Sequence, residues 1–227
     1  LLSRTLTYQD FERLQNTFRL VQSYNFFPGC VVWPEDPKED RSLWQILPEG
    51  TTLLFRGHAS AESPPPFSRK WLGWLTELAE LIDVVHRQGC RLNSFGIHSI
   101  IVQENTYDFM GLCLPISLSY LDTPRTEMTQ AGIDCCFASP EVQGYVDYPV
   151  SSTADVYTLA ALTYYLLTGE APRDLMECNF CPIRDHPNLG PSLRECLEDA
   201  LAIIPERRPR SAGQFVERIR KALVKDL

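Results

Sequence analysis

Trp71, Trp74, Leu75, Leu78, Leu81, Ile82 and Val85 recur at the three- and four-residue intervals that put side chains on one face of an α-helix. No other stretch of the chain constrains the fold as tightly. A helix with this apolar stripe must bury it against other elements. Gly89 follows where a glycine can end a helix in a left-handed conformation. Next comes Arg91–Val102, RLNSFGIHSIIV, an irregular loop leading into an apolar strand. Helix, glycine, loop and strand form a platform on which many enzymes present catalytic groups. This loop holds no carboxylate and no lysine, and its ionisable side chains are Arg91 and His98.

Upstream, Asp10–Gln22 places Phe11, Leu14, Phe18 and Val21 on one helical face, with Asp10 and Glu12 near the start, where the helix dipole favours them. CVVW (Cys30–Trp33) and LWQIL (Leu43–Leu47) read as strands, and the charged turn PEDPKED makes them a hairpin with a long loop. The run ESPPPFS (Glu62–Ser68) reads as a connector, because consecutive prolines lack amide donors. Downstream, SIIVQ (Ser99–Gln103) and YDFMGLCLP (Tyr107–Pro115) should form a second hairpin about Glu104-Asn105-Thr106. Ser119–Asp134 has few large apolar residues and reads as an exposed loop. Beyond it the chain is expected to be mostly helical, with a cap region at Ser151–Thr153 and a stop at Thr168–Pro172.

The chain has 227 residues with 44% hydrophobic content, and its mean hydropathy is −0.17. Those values suit a globular protein with a sizeable core. The net charge of −8 argues against a nucleic-acid or anionic-membrane partner, because neither phosphates nor acidic lipids would be attracted. No segment reaches the ~20 apolar residues of a membrane span, and the start does not read as a signal peptide. The eight cysteines are scattered, which favours reduced thiols over a disulfide framework. A cytoplasmic location is therefore expected.

FASPEV (Phe137–Val142), STADVYTLAALTYYLLTGEAPRD (Ser152–Asp174) and PERRPRSAGQF (Pro205–Phe215) occur in that order. They resemble, respectively, the end of the activation segment, the central buried helix with its exit, and the closing Pro-x-x-Arg-Pro segment of eukaryotic-type protein kinases. The resemblance reaches back through the Trp71 helix to about Leu43. It implies an α+β, bilobal fold with a truncated small lobe over residues 1–50 and a mainly helical large lobe over 51–227. It also implies a buried ion pair between Glu141 and Arg208, and an Asp155 that accepts backbone hydrogen bonds from the catalytic-loop region.

The same resemblance exposes what is missing. Kinases read His-Arg-Asp-Leu-x-x-x-Asn in the loop after this helix, where the Asp accepts the substrate hydroxyl proton and the Asn holds a metal. Aligned on Gly89 and the IIV strand, those positions are Leu92, Asn93 and Ser94, with Ser99 at the metal ligand. A serine hydroxyl is no base near neutral pH and a poor magnesium ligand. Asn93 also replaces the arginine that would read a phosphorylated activation segment. DFMG (Asp108–Gly111) imitates the kinase Asp-Phe-Gly triplet, but too few residues follow Val102 for a second strand to precede it. Hairpin geometry puts the triplet near Leu112-Cys113-Leu114. On the other alignment Asp108 would be the one surviving metal ligand. No glycine-rich phosphate loop occurs, the first lysine is Lys38, and the partner glutamate of the first helix falls near Thr17 or Phe18.

Remaining candidates are weaker. Cys178, Cys181 and His186 are three of the four ligands zinc would need, and ordinary buried thiols are the simpler reading. Cys135-Cys136 is expected to be buried where activation segments pack. His86 and His98 show no carboxylate partner, and Thr123, Thr126 and Thr129 read as a solvated stretch. The sequence therefore reads as a pseudokinase without cofactor or bound metal, serving as a regulatory scaffold for a protein partner or another domain of its own chain. Two alternatives stand beside it. One is an atypical nucleotide-dependent phosphotransferase using Asp108. The other is a metal-independent nucleotide sensor with a cleft near Leu47–Gly50.

Overall fold

The structure, a computed structural model, describes residues 2–5, 7–21, 28–34, 42–53, 69–103, 108–113, 118–128, 133–169, 183, 186–187 and 189–226. The proline-rich connector and residues 35–41 of the first hairpin's charged turn lie outside them.

Strand β1 (Leu2–Thr5) precedes helix α1 (Tyr8–Val21), and β2 (Cys30–Val32) and β3 (Ser42–Ile46) follow. They form an antiparallel sheet in the order β1-β3-β2, with Val32 opposite Trp44 and Cys30 opposite Ile46. The expected hairpin is present. Strand β1 was not anticipated, because LSRT has a single apolar residue and no alternating pattern, and is held by pairing with β3. Phe11 and Phe18 are buried, and both rings pack on Trp33, at 5.3 and 5.6 Å between centroids.

A second sheet takes the order β4-β6-β7, from Thr51–Leu53, Ile100–Gln103 and Phe109–Leu112. The hairpin of β6 and β7 pairs Ile100 with Leu112 and Val102 with Phe109, with an irregularity between Ile101 and Val102. Helix α2 (Arg69–Arg87) buries Trp74, Leu75, Leu78, Leu81, Ile82 and Val85 as its periodicity requires. Gly89 after it takes φ +75°.

A third, minimal ladder joins β5 (Cys90–Arg91) to β8 (Ser119–Tyr120). This corrects the reading of Ser119–Asp134 as wholly exposed. Ser119 and Met128 are buried, and the pairing reaches across residues too distant in sequence to leave a local signal. Helix α3 (Pro140–Gln143) is a single turn that ends on a left-handed Gly144.

The remaining helices build the larger, mainly helical part. In α4 (Thr153–Thr168) nearly every side chain is buried, the mark of a helix surrounded by others. Helices α5 (Pro191–Ala200) and α6 (Ala212–Lys225) bury Leu193, Leu197, Phe215, Val216 and Ile219 in the same core. The Asp83 carboxylate on α2 accepts from the Ala212 and Gly213 amides at 3.0 Å each, capping α6 with a charge from a neighbouring helix. Among the described residues no helix is long and apolar enough to cross a membrane.

Candidate functional site

The loop after α2 is buried through Leu92, Asn93, Ser94 and Phe95, each without exposure. Asn93 has φ +55°, a left-handed conformation that asparagine tolerates better than most residues. Its amide nitrogen donates to the Ser119 hydroxyl at 2.9 Å, and its oxygen accepts from Arg91 Nε at 2.7 Å.

Ser94 is occupied from one direction. Its hydroxyl accepts from the Asp134 main-chain nitrogen at 2.9 Å and donates to the Asp134 carbonyl at 3.3 Å. The Asp134 carboxylate continues over the loop and accepts from the Cys136 amide at 3.1 Å through Oδ1. A Cβ added to Gly96 would lie 2.0 Å from Asp134 Oδ2, so the carboxylate fills the space above that glycine. Reasoning from sequence missed Asp134, which stands at the end of a stretch read as solvated.

Ser99 closes a turn on Gly96, donating its amide to the Gly96 carbonyl at 2.9 Å. Its own carbonyl accepts from Cys113 N at 2.8 Å, which brings Ser99 and the end of β7 together. Leu112 is buried, and its carbonyl accepts from Gln45 Nε2 at 3.4 Å. Gln45 also donates to the Pro28 carbonyl at 2.9 Å, so one buried amide ties the first sheet to the second.

Asp108 stands elsewhere. It is exposed, and its carbonyl accepts from Gln103 N at 2.9 Å at the turn end of the hairpin. Leu112 lies four residue steps further along the strand, on the order of 13 Å away. Burial raises the Glu77 carboxyl above the usual carboxylate range, and the charges of Asp108 and Glu80 add to that. Among the described residues no group of three or more His, Cys, Asp and Glu side chains is placed to hold a metal ion.

Three buried charges frame this loop. Arg208 donates to Glu141 at 2.6 and 2.9 Å, with both side chains at 0% exposure. The same guanidinium also reaches the carbonyls of Ala202, Thr153 and Ile203 and lies 5.0 Å over the Tyr157 ring. Asp155 Oδ2 accepts from Leu92 N at 2.8 Å and meets His86 Nε2 at 2.7 Å. His86 therefore has the carboxylate partner that its sequence neighbourhood did not show. The two are 69 positions apart.

Arg91 is the residue that sequence reasoning undervalued. It is fully buried and donates to the carbonyls of Leu121, Thr123 and Val150 as well as to Asn93. Burial lowers its pKa, and the negative charges of Asp155 and Asp122 oppose that shift. An arginine set between two apolar residues, Cys90 and Leu92, was the signal available in the sequence. Its guanidinium grips the segment after β8 by backbone oxygens rather than by a phosphate.

Other expectations resolve as follows. His186 is buried against the Tyr164 ring, while Cys178 and Cys181 lie outside the described residues. Cys135 and Cys136 are exposed, contrary to expectation, because they occupy the outer corner of a turn. Thr126 is exposed and Thr123 half-buried, and Thr129 is outside the described residues.

At the level of sequence no known protein family and no curated protein matches the chain. Solved structures do match its fold. A mutant of the PknI kinase domain from Mycobacterium tuberculosis is 17% identical with a TM-score of 0.69, covering 97% of this chain and 84% of that one. The PK-1 kinase of Cydia pomonella granulovirus is 13% identical with a TM-score of 0.65, covering 94% of this chain and 80% of that one. The chain has the bilobal α+β fold of a protein kinase domain, with a mainly helical large lobe.

Proposed function

We propose that this chain is a pseudokinase: a kinase-like domain that does no phosphoryl transfer and acts as a regulatory scaffold. The single observation carrying the reading is Ser94. In the kinase alignment it stands where the catalytic carboxylate would be, and its hydroxyl is engaged at both ends by the Asp134 main chain. Asn93, Ser99 and Leu112 occupy the other degenerate positions, none of them a carboxylate. Beside them the framework persists in Glu141–Arg208, Asp155–Leu92 and the carbonyl grip of Arg91. Loss of chemistry beside an intact frame is the pattern expected when binding is what the domain supplies.

On this reading residues 1–50 form a partial small lobe and 51–227 the large lobe. The partner is a protein or a further domain of the same chain, docking on the large-lobe helices and the 119–145 segment. The domain works in the cytoplasm without cofactor or metal, and nucleic acid and membrane play no part.

The test is thermal unfolding with millimolar ATP, with and without magnesium, alongside transfer of labelled phosphate to the chain and to a generic protein acceptor. A site of ~0.1 mM affinity would stabilise by roughly 1.4 kcal/mol at 1 mM ligand. The expected result is no magnesium-dependent shift and no transfer. Transfer or a magnesium-dependent shift, abolished by Asp108→Ala, would overturn the reading.

A further inference from the structure

Cys135 and Cys136 are adjacent, reduced and exposed, and the function proposed above makes no use of them. They are the two corner residues of a turn closed by Phe137 N donating to the Asp134 carbonyl at 3.0 Å, with Ala138 N joining at 2.8 Å. Both ends of the turn are fixed. Asp134 is bound to Ser94 and caps the Cys136 amide, while Phe137 is buried with its ring 5.9 Å from that of Tyr165. The thiols are thus held outward on an anchored corner.

The other cysteines with described side chains differ. Cys90 and Cys113 are buried and Cys196 is half-buried. Burial pushes the Cys90 and Cys196 thiols up, away from the reactive thiolate. An anchored turn also keeps the exposed pair from travelling to these buried partners, so among the cysteines with described side chains each thiol's nearest reaction partner is its neighbour.

We propose that Cys135–Cys136 is a vicinal-dithiol modification site that hydroperoxides oxidise to an internal disulfide. One thiolate attacks hydrogen peroxide, takes one oxygen to become a sulfenic acid and releases hydroxide, which leaves as water with the thiol's proton. The neighbouring thiol then attacks that sulfur, forms the S–S bond and expels the second oxygen as water. Two thiols are oxidised, one peroxide is reduced, and two waters leave. The linked Cα atoms are about 3.8 Å apart, below the roughly 4.4–6.8 Å of ordinary disulfides, so the ring is strained and readily reduced. The modification is therefore reversible by thiols. It acts on the same turn that holds Asp134 against Ser94.

The experiment treats the reduced 227-residue chain with stoichiometric hydrogen peroxide and maps the products by peptide mass spectrometry. The expected product is a peptide containing both cysteines with the mass of two hydrogens lost, restored by dithiothreitol. Cys135→Ser and Cys136→Ser should each abolish that product and leave a sulfenic acid that dimedone traps. Both positions are exposed, so neither variant threatens the fold. As a second probe, phenylarsine oxide should bind at this peptide in the parent chain and in neither variant. A peptide that only gains oxygen, a pairing of either residue with another cysteine, or arsenical retained at this peptide in the single variants would overturn the assignment.

Discussion

The hydroxyl of Ser94 lies between the main-chain nitrogen and oxygen of Asp134, at 2.9 and 3.3 Å. The platform that the sequence leaves without a carboxylate is covered by a residue from 40 positions downstream. That residue brings its own carboxylate, which lies over Gly96 rather than at Ser94.

That carboxylate occupies the space a side chain at Gly96 would need. Gly96→Ala would put a Cβ 2.0 Å from Asp134 Oδ2 and 3.1 Å from a Phe137 ring carbon. The expected cost is about 1–3 kcal/mol, typical of overpacking. Urea denaturation of the double variant G96A/D134G should recover most of it, since the closest contact is gone. No recovery would place the carboxylate elsewhere.

Arg91→Met should destabilise more than its size suggests. It strips donors from the Leu121, Thr123 and Val150 carbonyls, and hydrogen bonds to a charged group contribute about 1.5–3 kcal/mol each. Arg91→Lys should recover only part, because a single ammonium lacks the planar fork. Amide exchange across residues 120–123 is the measurement, and the methionine variant should exchange fastest.

Glu141→Ala leaves the Arg208 charge buried, at an expected cost of about 3–5 kcal/mol. Replacing both residues by well-packed apolar side chains should cost less than the sum of the single changes. A denaturant-melt cycle over the two positions reads that coupling directly.

Asp226 supplies the pH dependence. Burial raises its carboxyl, but hydrogen bonds from Leu193 and Ser192 outweigh that and hold it below the usual range. A lowered folded value means its stabilisation is fully present above the ordinary aspartate value of about 3.9 and is lost as pH falls through the depressed one. The melting-temperature gap between the parent chain and Asp226→Ala should be constant at neutral pH and close in acid. A gap unchanged in acid would contradict it.

What repeats along the chain was readable in one dimension. Helix α2 announces itself because Trp74, Leu75, Leu78, Leu81, Ile82 and Val85 are spaced by the helical period. The β6–β7 hairpin shows because apolar runs flank a polar turn. Strand β1 and the β5–β8 ladder left no such mark, since short strands are stabilised by partners far away in sequence.

The chemistry divides in the same way. Residue identity alone says that Ser94 is no base and that DFMG holds an aspartate. Where these stand is a matter of packing. The fold sends Asp108 to the exposed end of its hairpin, brings Asp134 over Gly96, joins His86 to Asp155, and turns Arg91 inward onto backbone carbonyls. The last three of these link residues tens of positions apart. A side chain's chemical type belongs to the sequence, but its partners exist only once the closed core has fixed where the distant backbone runs.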